Sequence, residues 1–290
     1  IWMLTHSNNR LTIWLTWIKK GAKLIKNLRA DIIISNGVIP VPNIGLRILR
    51  IHDVPKAIHQ KTVTKLLLKK FHYYSFSSSI IENEFLSIFH VDRDKCIIIP
   101  LSINMERYRA RSLDSRENAI LFVDGRKRRN LRFALEVFKH VCRYDNDVVM
   151  YVVGTRDIPD GNWPRNRVIP LGFIDREELR ELYSKVRLLL IPSSYEGFGY
   201  PILEAFASGT PVVGSSAIPP ELLIDNFNGF KIHGFEARTY ANAMLKLLRD
   251  NTLWAEKSRN ALKTARKHDA LAIARKYLEL YRKNQCCAKR

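Results

Sequence analysis

The chain has 290 residues, 46% of them hydrophobic, which is enough for two domains with ordinary hydrophobic cores. Its 48 Lys and Arg against 28 Asp and Glu give a net charge of +20. That excess predicts an acidic partner: a phosphorylated substrate, a nucleic acid or an anionic membrane. The four cysteines form no CxxC motif and no zinc-type cluster with histidine, and no stretch approaches the roughly 18 apolar residues of a membrane span. This composition favours a protein of the reducing cytoplasm.

Positive charge is concentrated near the start of the sequence, where residues 10–70 contain thirteen Lys and Arg but only two acids. Within them, residues 11–29 mix Trp14, Trp17 and aliphatic side chains with lysines, which predicts an amphipathic helix. Two interpretations stay open. Such a helix is more often a surface helix packed on a sheet, but its Trp and Lys content also suits an anionic membrane surface. The second interpretation makes that membrane a candidate partner and the chain a peripheral membrane protein of the cytoplasm.

The rest of the first half alternates short apolar runs with helical patterns. Strands are predicted at Ile32–Ser35, Ile48–Ile51, Tyr74–Ser77 and Cys96–Pro100, and helices at Thr62–Phe71 and Ile80–Phe89. Short strands that alternate with helices indicate a parallel, doubly wound α/β sheet. The polar, Arg-rich stretch that follows them is typical of a linker.

The second half repeats this alternation more clearly. Strands are predicted at Ala119–Val123, Val148–Val153, Val168–Leu171, Leu188–Ile191, Pro211–Val213 and Phe230–Ile232. Helices are predicted at Leu131–Val141, Glu177–Val186, Pro201–Ala207, a short one near Pro220–Leu223, then Glu236–Leu248, Leu253–Lys267 and Leu271–Lys283. We therefore predict an α/β protein with two Rossmann-like doubly wound domains, at 1–108 and 118–270, joined by a linker at 109–117. Residues 271–290 are predicted to form a C-terminal helix that can cross back to the first domain.

The most informative segment is Pro192–Pro220, in which a strand runs into the loop Glu196–Gly199 and then into a helix that starts at Pro201. Glycines before a helix let the backbone approach a ligand, and a helix N-terminus attracts anions, which suits a diphosphate. The segment lacks the third glycine of the dinucleotide fingerprint and the Gly-Lys-Ser/Thr of a P-loop. Two carboxylates, Glu196 and Glu204, bracket the turn. Either one alone would be a surface charge or a partner of the helix dipole, but together they suit the hydroxyls of a nucleotide sugar.

This segment strongly resembles the retaining glycosyltransferases of family 4, whose GT-B fold has two Rossmann-like domains. Their signature is a pair of glutamates with seven residues between them, embedded in Pro-Ser-x-x-Glu-Gly-Phe-Gly-x-Pro-x-x-Glu-Ala. Glu196 and Glu204 fit that spacing. Further matches are Ala205, Gly209, Pro211–Val213, Pro220–Glu221 and Asn228–Phe230. The resemblance implies that Glu196 contacts hydroxyls of the donor sugar and Glu204 those of the ribose. It also implies that Gly197, Phe198 and Gly199 lie at the diphosphate.

A second segment, Asp124–Asn130, follows the first strand of the second domain and contains four cations. Such a run is usually solvated surface. Members of family 4, however, carry Gly-Arg here and a Lys shortly before the next helix, and both contact the donor diphosphate. The resemblance gives the first role to Arg126 and the second to Arg129, with Lys127 as the alternative. We also expect Asn130 to cap the helix that follows.

Gly172, Phe173 and Ile174 resemble the family segment whose backbone meets the nucleotide base, although a plain strand-to-helix turn is nearly as good an interpretation. His52 ends a predicted strand, where family members often carry a histidine close to the reacting sugar carbon, while a lone histidine is more often structural. The members open with strand–helix units that precede the point matching Ala30–Asn36. We therefore expect an incomplete N-terminal domain, on the acceptor side.

Two Asp-x-Asp sequences, Asp92–Asp94 and Asp145–Asp147, look like the metal clamp of other glycosyltransferases. Both precede a predicted strand, whereas a metal clamp follows one. We therefore interpret both as surface turns and expect neither a catalytic metal nor a cofactor.

The sequence thus predicts a retaining, metal-independent glycosyltransferase. It would move a sugar from a UDP-, GDP- or ADP-linked donor to a hydroxyl of a sugar or lipid-linked acceptor. The predicted catalytic residues are Glu196, His52 and Arg126, with arginines neutralising the charge that grows on the leaving diphosphate. Two alternatives stay open. One is a non-catalytic descendant that binds a nucleotide sugar, and the other is a basic nucleic-acid-binding protein, which is disfavoured because no binding motif is recognisable.

Overall fold

The computed structural model describes residues 31–36, 41–54, 58–124 and 129–288. The predicted amphipathic helix at 11–29 lies outside these residues. The chain divides into two compact units: an N-terminal unit of residues 1–100 with 275–290, and a C-terminal unit of residues 101–274.

The N-terminal unit contains a four-stranded sheet with helices between its strands. The strands that the described residues form are β1 (Ile32–Ser35), β2 (Leu46–Ile51), β3 (Tyr73–Phe76) and β4 (Cys96–Ile98), and the helices that they form before residue 100 are α1 (Ile58–Leu68) and α2 (Ser79–Leu86). The strands are adjacent in chain order and every pair is parallel. Helix α2 begins where it does because the Ser78 side chain accepts a hydrogen bond from the main-chain N–H of Ile81.

The C-terminal unit contains a six-stranded parallel sheet. Its strands are β5 (Glu117–Val123), β6 (Val149–Val153), β7 (Val168–Gly172), β8 (Val186–Ile191), β9 (Val212–Ser215) and β10 (Gly229–Ile232). Its helices are α3 (Leu131–Val141), α4 (Arg176–Lys185), α5 (Tyr200–Ala207), α6 (Ala237–Arg249) and α7 (Asn251–Lys267). Helix α8 (Ala270–Ala288) starts in this unit and continues into the other.

The strand order of the larger sheet indicates where along its edge a ligand is expected to bind. The order is β10-β9-β8-β5-β6-β7, so the chain extends the sheet to one side of β5 and then returns to extend it on the other. The order therefore reverses between β5 and β8. In open α/β sheets, ligands bind outside the carboxyl ends of the strands at such a switch point. Both segments that carry the predicted site follow these two strands, since one starts after Val123 and the other after Ile191.

Strand β5 shows why this sheet is the core of the unit. Ile120 and Phe122 pack in one hydrophobic cluster, with α3 and α6, while Leu121 and Val123 pack in another, with α5 and α7. A strand that is apolar on both faces is what a parallel sheet covered by two helix layers requires. The predicted α/β, doubly wound class is confirmed, and the GT-B identity of the fold is supported by the comparisons described below.

A buried arginine ties helices and strands together at the amino edge of this sheet. Arg116 is 5% exposed, and its guanidinium donates to the main-chain oxygens of Val186 and Ser208 and to the Thr210 hydroxyl, at 2.8, 2.6 and 2.7 Å. It also reaches the Tyr183 carbonyl at 3.4 Å. Burial, with a smaller contribution from a neighbouring arginine, lowers the pKa of Arg116 to about 9, so the side chain stays charged at neutral pH. Arg116 therefore fixes the end of α5 against the end of α4.

Two local expectations are wrong. The short helix near Pro220–Leu223 is a turn, because the Asn228 amide supplies the hydrogen bonds that another helical turn would make: it donates to Leu222 O and accepts from Ile224 N. Asn130 stands at the N-cap position of α3 but makes no side-chain capping bond. Its backbone is left-handed, with φ of 62°, a conformation that Asn tolerates better than most residues.

Candidate functional site

The loop after β8 carries the first of the two predicted carboxylates. Glu196 is half-buried, and one of its carboxylate oxygens accepts a hydrogen bond of 3.5 Å from the hydroxyl of Ser193. Ser193 is itself buried, and its main-chain oxygen accepts from Ser215 at the end of β9. The loop that holds Glu196 is therefore tied to the neighbouring strand of the sheet at its carboxyl edge.

The loop ends in a sharp turn into α5 at Gly199. Its φ of +102° lies in the left-handed region, and a Cβ at this position would come within 2.8 Å of the Ile202 side chain. A glycine meets both requirements at no steric cost. Pro201 occupies the first turn of α5, where it loses no helical hydrogen bond. The result is a helix N-terminus at the switch-point edge, where main-chain N–H groups and the helix dipole favour an anion.

The second carboxylate, Glu204, lies on α5 between two tyrosines. Its Oε1 accepts a hydrogen bond from the Tyr108 hydroxyl at 3.1 Å, and its Oε2 accepts one from the Tyr183 hydroxyl at 3.0 Å. Tyr183 belongs to α4 and is 0% exposed, whereas Tyr108 comes from the segment before β5 and is half-buried. The Arg180 guanidinium lies over the Tyr108 ring, 5.6 Å from its centroid. Glu204 is thus oriented from two sides before any ligand is bound.

Burial dominates the electrostatics of this group. It raises the pKa of Glu204 above the ordinary glutamate value, while hydrogen bonds from Tyr183 and Tyr108 and the charges of Arg180 and Arg176 oppose that rise. Burial and the neighbouring carboxylate raise the pKa of Tyr108 to about 12 and that of Tyr183 well above its usual value. Both tyrosines are therefore protonated donors across the physiological range.

Arg129 lies at the carboxyl edge of the sheet, next to the end of β5. Its guanidinium donates to the carbonyl of Val123, the last residue of that strand, at 2.9 Å. Its charge also lowers the pKa of Tyr183, against the larger effect of burial. Arg126 and Lys127, the other two predicted cations of this loop, lie outside the described residues.

The loop after β7 is joined to the loop after β6. Gly154 N donates to Gly172 O at 2.7 Å, and Gly172 N donates to Thr155 O at 3.1 Å. Gly172 has a φ of +71°, and a Cβ there would meet the Arg156 side chain at 2.8 Å, so glycine is required on both counts. The next residue, Phe173, is 89% exposed.

Ile174 packs against the hydrophobic core, and Asp175 then starts α4 with a reciprocal capping box. In that box Asp175 accepts from the main chain of Glu178, while the Glu178 side chain accepts from the Asp175 N–H. The predicted base-binding segment is therefore held at both ends, with one large aromatic side chain facing solvent.

His52 lies in the N-terminal unit, directly after β2. It is half-buried, and its pKa is lowered by burial and then by the charge of Arg50, with Asp53 acting in the opposite direction. Its imidazole is therefore neutral at neutral pH. Arg50 is buried and donates to the carbonyl of Pro100 at 3.1 Å, and its guanidinium lies over the Tyr277 ring. The catalytic role of His52 stays a prediction.

The two Asp-x-Asp sequences form turns. Asp92 accepts a hydrogen bond from Asp94 N and forms an ion pair with Lys95 at 3.8 Å, just before β4. Asp145 accepts from the main-chain N–H groups of Asp147 and Val148, just before β6. In the part of the chain that the structure describes, no group of three or more His, Cys, Asp and Glu side chains is arranged to hold a metal ion.

Known proteins resemble this region in sequence. Residues 117–250 match the family described as Glycosyl transferases group 1. The match covers the six-stranded sheet and the helices around it up to the end of α6. A related sequence, an uncharacterized glycosyltransferase of Methanocaldococcus jannaschii, is 30% identical over 161 residues. The match covers 48% of this chain and 41% of that protein, so the chain spans less than half of this curated relative's length.

Solved structures share the fold of this chain. A glycosyltransferase from Rickettsia africae ESF-5 has a TM-score of 0.76 at 18% identity, over 98% of this chain and 84% of that one. Anabaena HepE, in complex with UDP and glucose, has a TM-score of 0.72 at 17% identity, over 95% of this chain and 83% of that one. The fold is therefore that of the GT-B glycosyltransferases.

Sequence reasoning missed the two tyrosines that hold Glu204. Tyr108 is the last residue of the predicted first domain, directly before the predicted linker, and Tyr183 stands in an amphipathic helix, where it is an ordinary buried residue. They are separated from Glu204 by 96 and 21 positions, so only the tertiary fold brings the three side chains together. A signal was nevertheless present, because a tyrosine at the edge of a polar, Arg-rich stretch is out of character for a solvated segment.

No helix within the described residues combines the length and the apolar composition that crossing a membrane requires.

Proposed function

We propose that this chain is a retaining glycosyltransferase that moves a sugar from a nucleoside-diphosphate sugar to an acceptor hydroxyl. One observation carries the proposal: in the region that matches group 1 glycosyl transferases, a pre-oriented, half-buried carboxylate, Glu204, lies on a helix that starts at a glycine at the switch point of the sheet. A helix N-terminus can bind the oxygens of a diphosphate, and a carboxylate can accept hydrogen bonds from hydroxyl groups. A nucleotide sugar is a ligand that presents both.

The donor would lie along the carboxyl edge of the sheet. The nucleobase would meet the loop at Gly172–Ile174, and the ribose would meet Glu204. The diphosphate would lie at Phe198 and Gly199, with Arg126 as its first cation and Arg129, or alternatively Lys127, as its second. Arg129 supports this order, because it lies beside the end of β5 and influences Tyr183. HepE has been crystallised with UDP and glucose, which makes UDP the first nucleotide to test.

Glu196 would act on the transferred sugar. Its carboxylate would accept hydrogen bonds from sugar hydroxyls as the ring flattens and positive charge develops at the anomeric carbon. Retention would follow if the bond to the diphosphate breaks on the face to which the acceptor oxygen adds, with the acceptor proton passing to the departing phosphate oxygen. Arginines would stabilise the charge on the leaving group by an amount on the order of 2.7–4 kcal/mol for one well-placed donor. A catalytic role for neutral His52, in the N-terminal unit, is part of the proposal.

A binding panel followed by product analysis tests the proposal. UDP-, GDP- and ADP-glucose and GDP-mannose are offered to the full 290-residue chain, and thermal shift identifies the donor that stabilises it. Hydrolysis or transfer from that donor is then followed by proton NMR, where the coupling constant of the anomeric proton reports the configuration of the product. We expect one base to be preferred and the anomeric configuration to be kept.

The same panel separates the alternatives. Binding of a nucleotide sugar without any turnover, by wild type and Glu196→Gln alike, would identify a non-catalytic binder. Inverted product configuration would overturn retention alone. An affinity for RNA or DNA that exceeds the affinity for nucleotide sugars, with a steep salt dependence, would favour the nucleic-acid alternative.

For the acceptor side, we propose that the basic N-terminal unit meets an anionic membrane in the cytoplasm, where a lipid-linked acceptor would be found. The support lies at the end of α1, where Lys65 is exposed together with Leu66, which is 72% exposed, and in the turn directly after it, where Lys69 and Lys70 are exposed. No acidic residue occurs within α1, so its outer face carries only positive charge. Cations near such a surface contribute about 1 kcal/mol each.

Co-sedimentation with vesicles tests this membrane proposal. We expect stronger binding to vesicles with 30% phosphatidylglycerol than to phosphatidylcholine alone, and a loss of that difference in the Lys65→Glu/Lys69→Glu variant. The charge-matched control is Lys263→Glu/Lys267→Glu, at two exposed positions of α7 in the other unit. Equal binding to both kinds of vesicle at low salt would contradict the proposal, and so would equal losses in both variants.

A further inference from the structure

Glu204 has two hydrogen-bonding positions left. An ionised carboxylate offers about four lone-pair sites, two on each oxygen. Tyr108 uses one on Oε1 and Tyr183 uses one on Oε2, at 3.1 and 3.0 Å. One site on each oxygen therefore remains. Two acceptor sites on neighbouring oxygens match the two vicinal hydroxyls of a ribose, which can each donate one hydrogen bond.

We propose that Tyr108 and Tyr183 are positioning residues that fix the carboxylate plane of Glu204 so that its remaining acceptor sites recognise the cis-diol of the donor ribose. The inference rests on the proposed function, because it assumes that Glu204 meets the ribose. Its consequence is specificity for ribonucleotides over 2′-deoxynucleotides. A carboxylate held from two sides cannot turn to compensate for a missing hydroxyl, so the absence of that hydroxyl leaves a half-buried acceptor without its partner.

Tyr183 is held in place by its own main chain. Its carbonyl accepts hydrogen bonds from the Thr210 hydroxyl at 2.5 Å and from the Arg116 guanidinium at 3.4 Å. The end of α4 therefore cannot shift without breaking the buried network around Arg116. The fully buried ring has a fixed direction, and its hydroxyl is the more rigid of the two donors to Glu204.

Tyr108 is oriented differently, by a cation over its ring. The Arg180 guanidinium lies 5.6 Å from the centroid of Tyr108 and is paired with the Glu177 carboxylate on the same helix. This stack covers the outer side of Tyr108 and directs its hydroxyl inwards. Glu204 therefore accepts one hydrogen bond from Tyr183, which the core holds in place, and one from Tyr108, which the stacked Arg180 guanidinium holds in place.

The same contacts keep Glu204 in the form that a diol needs. Only the ionised carboxylate has an acceptor site for every donor around it. Burial disfavours ionisation and raises the pKa of Glu204, while both tyrosine hydroxyls oppose that rise. The charged and titratable groups that face Glu204 are Tyr183, Arg180 and Arg176 from α4 and Tyr108 from the segment before β5. Helix α5 itself contains no other ionisable carboxylate or cation.

The test compares ribo- and deoxyribonucleotides in Tyr→Phe variants. The probe is whichever of UDP, GDP and ADP the wild type binds most tightly, together with its 2′-deoxy analogue, in titration calorimetry. We expect Tyr183→Phe and Tyr108→Phe each to weaken binding of the ribonucleotide by roughly 5- to 30-fold. Binding of the 2′-deoxy analogue should fall by no more than about threefold, so that the preference for ribose narrows. A general loss of structure would weaken both nucleotides alike.

Tyr151→Phe is the matched control. Tyr151 donates to the Glu117 carboxylate at 2.7 Å within the same unit, so this variant also breaks a tyrosine–glutamate bond, and burial likewise raises the pKa of Tyr151 to about 12. Glu117 opens β5 at the amino edge of the sheet, opposite the proposed site. We expect this variant to bind both nucleotides like the wild type.

A pH profile gives the second readout. Because the tyrosine hydroxyls lower the pKa of Glu204, removing either one should raise it, so that nucleotide binding is lost at a higher pH as the solution is acidified. The acid limb of the binding profile should therefore move to higher pH in Tyr108→Phe and Tyr183→Phe, but not in Tyr151→Phe. If Tyr183→Phe unfolds, the profile of Tyr108→Phe, at a half-buried position, still decides the question.

The possible results distinguish a failure of the proposed function from a failure of the role proposed for the two tyrosines. A wild type that binds none of the three nucleotides would overturn the proposed function, and this inference with it. Nucleotide binding by the wild type, with unchanged preference for ribose and an unchanged acid limb in both variants, would overturn this inference alone.

Discussion

The two glutamates of one short segment, Glu196 and Glu204, differ in what surrounds them. Glu204 is held by two tyrosines at ordinary hydrogen-bond lengths and lies deep enough for burial to raise its pKa. Glu196 lies in the loop and accepts a hydrogen bond of 3.5 Å from Ser193. Eight positions of sequence therefore separate an enclosed, pre-oriented carboxylate from one in a looser setting.

This difference indicates that one glutamate binds the donor in the ground state and that the other stabilises the transition state. A group that binds the ground state is best fixed in advance, since ordering it on binding would cost affinity. A group whose bond should be strongest in the transition state does not have to be saturated beforehand. We therefore expect changes at Glu196 to appear mainly in turnover and changes at Glu204 mainly in binding.

The largest effect is expected from Glu196→Gln. This variant keeps the shape of the side chain but removes its charge, so turnover should fall by roughly 100- to 1000-fold, as for the loss of a well-placed transition-state contact. Donor affinity should stay within about threefold. Steady-state kinetics and calorimetry measure the two quantities, and Glu136→Gln, at an exposed position of α3, serves as the control. A change in affinity as large as the change in turnover would erase the distinction between the two glutamates.

Glu204→Ala should have the next largest effect. The ribose would lose a charged acceptor, and the hydroxyls of Tyr108 and Tyr183 would lose their partner, so donor affinity should weaken by roughly 10- to 100-fold. Turnover at saturating donor should change less than affinity does. The result to look for is a rise in KM that exceeds the fall in kcat, and the reverse pattern would contradict the assignment of Glu204 to the ribose.

Much of this comparison could be read from the sequence, because the spacing of the two glutamates is a local property. The bounds of α3 were also predicted correctly, since an amphipathic pattern with a strong apolar stripe is decided within the segment itself. Side-chain hydrogen bonds that cross the fold could not be predicted. The Asn228 side chain donates to the main chain of Leu222, where the predicted short helix is a turn, and Tyr108 contacts Glu204 from the end of the predicted first domain.

Gly199→Ala tests the turn that joins the two glutamates. Alanine would have to adopt a φ of +102° or shift the Ile202 side chain, which lies 2.8 Å from the new Cβ. We expect a loss of about 1–2 kcal/mol in the free energy of unfolding and a severalfold loss of donor affinity. Chemical denaturation and calorimetry provide both values. Wild-type affinity in a destabilised variant would show that the turn serves folding alone.

The smallest effect should come from removing divalent ions. Cations of the protein are already proposed for the diphosphate, and both Asp-x-Asp sequences form turns before strands. We therefore expect turnover with excess EDTA to stay within about twofold of its value with Mn²⁺ or Mg²⁺, since no step of the proposed mechanism uses a metal. Abolition of turnover by EDTA, with rescue by Mn²⁺, would contradict this expectation.

A crystal structure of the chain with a bound nucleoside diphosphate tests the central claim most directly. We predict that the ribose hydroxyls lie within hydrogen-bond distance of Glu204, with both tyrosines still in contact, and that the diphosphate lies at the N-terminus of α5. A nucleotide bound with its ribose elsewhere, or with Glu204 turned away from it, would contradict the account.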